Sequence, residues 1–319
     1  MRNNNLDILK IVMAFLVIAL HIFPVSKIGG IEGLISYEIA SGITRIAVPT
    51  FFLISGYFLR NKLNDTAYLW KYVKRILLLY MVWQLIYLPD LIRFYNLGWF
   101  SKPNMFLKII YGYWHLWYLL ATAIAVGLLY LFRNCTLTTK VVLIVLLLFV
   151  GYGFQIGIQS NYIHNLDIRF WYEIIGTTRN FLFFALPMMM IGTLYELWKD
   201  WISKMQWLLI PMWILLLVEV SLYYRYSVKA MDFLVVLPLL SMLTFNWVNN
   251  SKPITHKEIP STFSLGIYLC HPYAIRVVTE FLPQKGFYDW LLKYPIICLV
   301  AISLWWIVEK VNKRFSWFF

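Results

Sequence analysis

Long apolar stretches separated by short polar breaks recur along the whole chain, each near the roughly 20 residues a helix needs to cross a bilayer core. Ten windows fit: 8–25, 40–59, 73–92, 112–132, 140–157, 179–197, 205–223, 231–248, 262–282 and 292–311. No window alternates apolar and polar positions over ten residues, so the pattern predicts helices and excludes a transmembrane barrel. The expected fold is all-α, a polytopic membrane bundle of about ten transmembrane helices. No linker, internal repeat or low-complexity tract divides the chain, which predicts a single membrane domain over residues 1–319.

Composition agrees: 61% of residues are hydrophobic and 13% charged, with a mean hydropathy of +0.69. An ordinary soluble domain is far less apolar. The formal charge of +13 matters mainly for topology, because the cations occupy short breaks rather than a solvated patch, and a nucleic-acid partner is therefore not expected. Assigned to alternate breaks, 16 lysines and arginines fall on one side and 9 on the other. This excess predicts a multi-pass protein of the plasma membrane with both termini in the cytoplasm. Cys135, Cys270 and Cys298 lie far apart, which offers neither a disulfide framework nor a paired metal motif. No small-residue cleavage site follows the first window, so it reads as a retained helix.

Ionisable groups inside the windows carry the chemistry, since each costs about 2.5 to 3.5 kcal/mol at a helix centre on insertion scales. In LDILKIVMAFLVIALHIFP, Lys10 and His21 are eleven positions apart, which on a helix puts them on one face about 16 Å from each other. They read either as a snorkelling lysine and an interfacial histidine, or as the cation and the base of a site. Arg45 opens TRIAVPTFFLISGYF, where Pro49, Ser55 and Gly56 interrupt the apolar run; it either snorkels or faces a site. Glu219 has no cation within its own window and needs a partner from another span or a proton.

His115 sits at the mouth of the fourth window among Trp114, Trp117 and Tyr118, as part of an interfacial aromatic belt or of a binding site. Glu173 and Arg179 flank Gly176 just before the sixth window, as an interfacial pair or a substrate clamp. His271 directly precedes Pro272, and proline frees a helical carbonyl one turn earlier that the imidazole can satisfy. The two longest breaks, 93–111 and 158–178, are assigned outside, where they either roof a site or anchor at the interface.

These segments together resemble the membrane acyltransferase family called acyltransferase type 3, whose members acylate cell-surface carbohydrates and related acceptors. The family pattern of an arginine, ten residues and a histidine in the first helix is kept in spacing by Lys10 and His21, with lysine in place of arginine. RIAVPTFFLISGYF, KYVKRI, HLWYL and IYLCHP resemble further family segments in the correct order, and the match runs nearly end to end. HLWYL, GTTRNFLFF and YLCHPY look especially like the membrane half of the vancomycin-resistance serine racemases, where a cytoplasmic racemase follows. No such segment is expected here, since the sequence stops at Phe319.

The resemblance implies an O-acyltransferase that moves an acyl group, expected to be acetyl, from cytoplasmic acyl-CoA to a hydroxyl on a cell-envelope carbohydrate or a small acceptor, without a metal. On this reading His21 is the general base or a transient acyl carrier, since imidazole titrates near working pH. Arg45 or Arg179 stabilises the oxyanion and His271 serves as a relay. Lys10, His115, Trp117, Glu173, Arg179 and Glu219 are candidates for substrate binding. Lys71, Lys74 and Arg75, grouped with Lys10 and Arg60 on the cytoplasmic side, are candidates for the donor phosphates, although the positive-inside bias alone also accounts for them. Replacing arginine by Lys10 keeps the charge and loses the bidentate geometry. The alternative is a permease for serine or another small amino acid, with Arg45 holding the carboxylate and Glu219 the ammonium. A catalytically silent scaffold fits less well, because it leaves the costly intramembrane charges without a use.

Overall fold

A computed structural model of the chain describes residues 3–24, 30–98, 102–159, 179–226, 231–282, 287–315 and 318–319. All regular elements among them are helical: α1 Asn4–Ile22, α2 Gly30–Ser41, α3 Ala47–Leu59, α4 Thr66–Asn96, α5 Lys102–Tyr111, α6 Trp117–Leu131, α7 Leu137–Gln159, α8 Leu186–Lys204, α9 Leu209–Arg225, α10 Leu237–Asn250, α11 Phe263–Phe281 and α12 Phe287–Phe315. Short 3₁₀ turns at Ile43–Ile46 and Gln206–Leu208 lead into α3 and α9, and a π turn at Phe181–Ala185 leads into α8.

Each of the ten apolar windows coincides with helix, and the chain is a polytopic helical membrane protein. Among the described residues, seven helical stretches are long and apolar enough to cross a membrane. Three windows fall short of that measure. α6 has 15 residues and α10 has 14, while α11 carries His271, Arg276 and Glu280, which lower its hydropathy. Two helices arise outside the windows, the short α5 in the first long break and α2 just ahead of the second window.

Contacts fall into two compact units, one of Met1–Ile54, Tyr195–Arg314 and Phe319, the other of Ser55–Leu194 and Phe315–Phe318. In the first unit α1 packs against α2, α10 and α11, and also against the 3₁₀ turn that carries Arg45. Ala14, Ile18 and Ile22 of α1 share a buried cluster with Ile267, Ala274 and Val278 of α11 and with Ile297 and Ala301 of α12. The small residues in that set let the helices approach closely where lipid offers no hydrophobic drive to association.

Asparagine fixes the start of α1. The Asn3 side chain caps the helix by accepting from the Asn5 amide at 3.0 Å. Asn5, 2% exposed, donates through Nδ2 to the carbonyls of Ser251 and Lys252, both at 3.0 Å, and accepts from the Ile254 amide at 2.9 Å. One side-chain amide thereby satisfies three backbone groups of the segment linking α10 to α11. A second buried node, Asn246, accepts from Tyr195 Oη at 2.7 Å and donates to Gln206 Oε1 at 2.6 Å.

In the second unit α4 packs against α5 and α6, while α6 and α7 pack on the π turn. Gln84 joins α4 to the end of α5: its Oε1 accepts from the Tyr113 amide at 2.9 Å and its Nε2 donates to the Lys108 carbonyl at 3.2 Å. Gly112, at φ +96°, turns the chain there. Gly56 lies directly on the α8 backbone, so that a Cβ at this position would come within 2.8 Å of Met189 Cα and closer still to its carbonyl oxygen. Backbone cannot rotate out of the way. Gly56→Ala is therefore expected to destabilise the second unit by about 4 kcal/mol or more, seen as loss of the folded, monodisperse fraction in detergent; wild-type melting of this variant would contradict the close approach.

Candidate active site

His21 and His271 come together. His21 occupies the last turn of α1, where a helix favours a cationic side chain, and His271 lies midway along α11. Their rings stack at a centroid distance of 5.2 Å with 22° between planes. His271 is buried to 1% exposure. Its Nδ1 lies 2.6 Å from the Tyr268 carbonyl, and Pro272 removes the amide that would otherwise bond that same carbonyl in an α-helix. A carbonyl oxygen only accepts, so Nδ1 carries the proton and Nε2 is the basic nitrogen of the neutral ring. Proline thus fixes both the position and the tautomer of this histidine.

Lys10 lies on the same continuous helix as His21, and its Nζ pairs with Asp7 Oδ1 at 2.6 Å across one turn. Asp7 was not singled out by the sequence reading, although the two are three positions apart, the spacing of neighbours on a helix face. Arg45, 7% exposed, sits in the 3₁₀ turn that packs against α1. Its Nε donates to the Ala40 carbonyl at 3.0 Å and its Nη1 is ion-paired with Asp232. The snorkelling alternative for Arg45 is corrected by this burial and pairing. Asp232 escaped the sequence reading because it stands at the start of a window that holds no other charged residue. Glu219 Oε1 accepts from the Val235 amide at 3.0 Å and from Tyr223 Oη at 3.2 Å, so it holds the segment leading into α10.

The remaining candidates belong to the second unit. His115 is 3% exposed and meets the rings of Tyr87 and Tyr113 edge-on at 5.3 and 6.2 Å. Those two tyrosines continue, nearly parallel, into Trp114 and Phe94, which makes a stack of four rings. His115 is thus part of a packed aromatic core and not an exposed belt. Trp117 packs on Phe184 at 6.4 Å. Arg179 is exposed and immediately precedes Asn180, whose Oδ1 caps the helix by accepting from the Leu182 and Phe183 amides at 2.8 Å each. Burial first, and then the neighbouring Arg179 cation, hold the Lys108 ammonium of α5 below the usual lysine range. Lys71, Lys74 and Arg75 are exposed on α4. Glu173 lies outside the described residues.

Among known proteins, residues 3–310 match the family described as Acyltransferase domain. A serine/alanine racemase of Enterococcus gallinarum is 26% identical over all of this chain and 47% of its own length. An amino-acid racemase of Enterococcus faecalis is 27% identical over 87% of this chain and 42% of its own. The chain thus spans about half the length, or less, of these curated relatives. No solved structure matches. With the family match covering nearly the whole chain, and with the paired histidines and the spacing of Lys10 and His21 in place, this protein belongs to the acyltransferase-3 family of integral membrane proteins.

Proposed function

We propose that the protein is an O-acyltransferase that takes an acyl group, acetyl in the simplest case, from acyl-CoA on the cytoplasmic side and places it on a hydroxyl of a cell-envelope carbohydrate or small acceptor. Both termini then lie in the cytoplasm. The observation that carries the reading is the stacked pair of His21 and His271. His21 accepts the proton of the acceptor hydroxyl as its oxygen bonds to the thioester carbonyl carbon. Collapse of the tetrahedral intermediate breaks the C–S bond, and the imidazolium proton passes to the departing thiolate. His271, held by the Tyr268 carbonyl, orients the His21 ring. Arg45, anchored by Asp232 and largely withdrawn from water, directs an N–H donor at a developing oxyanion, a hydrogen bond that a dry site strengthens. Lys10, nearer the start of α1, the helix that carries His21, takes the donor phosphates.

A second reading, a permease for serine or a similar amino acid, is favoured by one finding: relatives named for serine/alanine and amino-acid racemisation align with this chain. The geometry gives it less support. Arg45 already pairs with Asp232, and Glu219 already accepts from Val235 and Tyr223, so neither is held ready for the ends of a zwitterion. Purified protein with acetyl-CoA and an envelope carbohydrate extract should release CoA thiol in proportion to O-acetyl ester formed. Reconstituted protein that accumulates labelled serine and turns over no acyl-CoA would replace the enzyme with the permease.

A further inference from the structure

A slot runs between α4 and α6 in the second unit, with a cavity volume of about 270 Å³, walled by Leu69, Trp70 and Val73 from one helix and by Val126, Gly127 and Tyr130 from the other. Its lining is overwhelmingly apolar. Gly127 keeps it open: no atom lies within 4 Å of the position a Cβ would take there. Two aromatic walls each carry a cation, since Lys74 Nζ lies 4.9 Å from the Trp70 ring and the Arg133 guanidinium 3.7 Å from the Tyr130 ring. A third ammonium, Lys140, donates to the Arg133 carbonyl at 2.7 Å. Among the described residues none of these three cations forms an ion pair with a carboxylate.

Cation–π contact holds such charges in place without neutralising them. The result is an apolar slot with surplus positive charge fixed at its aromatic edges. A small free anion would leave the slot unfilled, and a neutral chain would leave the cations uncompensated. An amphiphile with one acyl chain and a phosphate satisfies both, and basic pockets between membrane helices are known to select anionic headgroups. We propose that this slot is a binding site for an anionic phospholipid, with one acyl chain lying against Gly127 and the phosphate between Lys74 and Arg133. The proposal stands apart from the acyl-transfer reading and takes Lys74 out of the set assigned to the donor.

The test titrates purified protein in neutral detergent with phosphatidylglycerol and with phosphatidylcholine of the same chains, and reads bound lipid by native mass spectrometry. Wild type should prefer phosphatidylglycerol by about tenfold or more. Lys74→Gln combined with Arg133→Gln, the first exposed and the second half-buried, should erase the preference while chain binding persists. Gly127→Phe fills the slot and should lose both lipids at unchanged helical content. If that variant fails to fold, the paired charge variant still decides. Equal retention of the two lipids by wild type would overturn the site, as would undiminished phosphatidylglycerol binding in the charge variant or in a folded Gly127→Phe. Displacement of the lipid by CoA would return Lys74 to donor binding, and displacement by inorganic phosphate would reduce the slot to a site for free anions; either result would overturn the lipid assignment.

Discussion

Replacing His21 by alanine should lower acyl transfer by about 10²- to 10⁴-fold, the usual worth of a positioned general base, with the protein still folded in the membrane. The expectation rests on where His21 sits. It ends a helix whose start is fastened by Asn3 and Asn5 and whose body packs against α11, so losing one partly exposed ring leaves that packing intact. His271→Ala should behave differently. It removes the stacked neighbour of His21 and also the donor to the Tyr268 carbonyl, which then faces a buried environment without the partner Pro272 made necessary. Lower activity and lower melting are both expected there. His271→Asn supplies an amide N–H and should recover stability more than activity. If His271→Ala reduced stability alone, with acyl transfer per folded molecule unchanged, the ring would only be completing the helix.

The second large effect is expected at Arg45 and Asp232. Breaking a buried ion pair by removing one partner typically costs about 3 to 5 kcal/mol, because a charge is left in a low dielectric without compensation. Asp232→Ala should therefore destabilise the first unit strongly, although nothing in the apolar pattern marks Asp232 as important. Arg45→Ala should do the same, so its loss of activity has to be read per folded molecule. Replacing both by apolar residues of similar volume, Arg45→Met with Asp232→Leu, should restore much of the stability. Chemical denaturation in detergent of wild type, Arg45→Met, Asp232→Leu and the double variant closes the cycle that gives the coupling. Restored folding with acyl transfer still absent is the result expected if Arg45 also stabilises the oxyanion, whereas restored folding with full activity assigns the pair to structure alone.

Much of this was legible in the sequence, and the limits have physical causes. Window length and apolar content located helix at all ten places, since in lipid a backbone must satisfy itself. Crossing length was less legible, because α6 and α10 are cut to 15 and 14 residues by neighbouring turns that a hydropathy window averages over. The His271–Pro272 dipeptide predicted its own hydrogen bond, because both halves of that interaction are local. The stacking of His21 on His271 was not readable, since it joins residues 250 positions apart and depends on how α1 meets α11. Asp232 was missed for a related reason: periodicity identifies apolar faces, whereas an isolated carboxylate shows a distant partner only once helices are packed; Asp7, by contrast, stands three positions from Lys10 on one helix, so its pairing was legible. The four-ring stack at Tyr87, Tyr113, Trp114 and Phe94 was likewise not readable, since it joins the end of α4 to the turn before α6, and the sequence shows only the aromatics beside His115.

On the proposed reading, the paired histidines serve transfer of an acyl group from CoA to a hydroxyl and not passage of an intact solute. Sealed vesicles containing the purified protein and a lumenal hydroxyl acceptor, given radiolabelled acetyl-CoA and, in a parallel sample, radiolabelled serine only outside, test it. Wild type oriented with its cytoplasmic face outward should deposit labelled acetyl ester on the lumenal acceptor, and His21→Ala should deposit about 10²- to 10⁴-fold less. Labelled ester formed equally by wild type and His21→Ala, or none formed while labelled serine accumulates in the lumen, would contradict it.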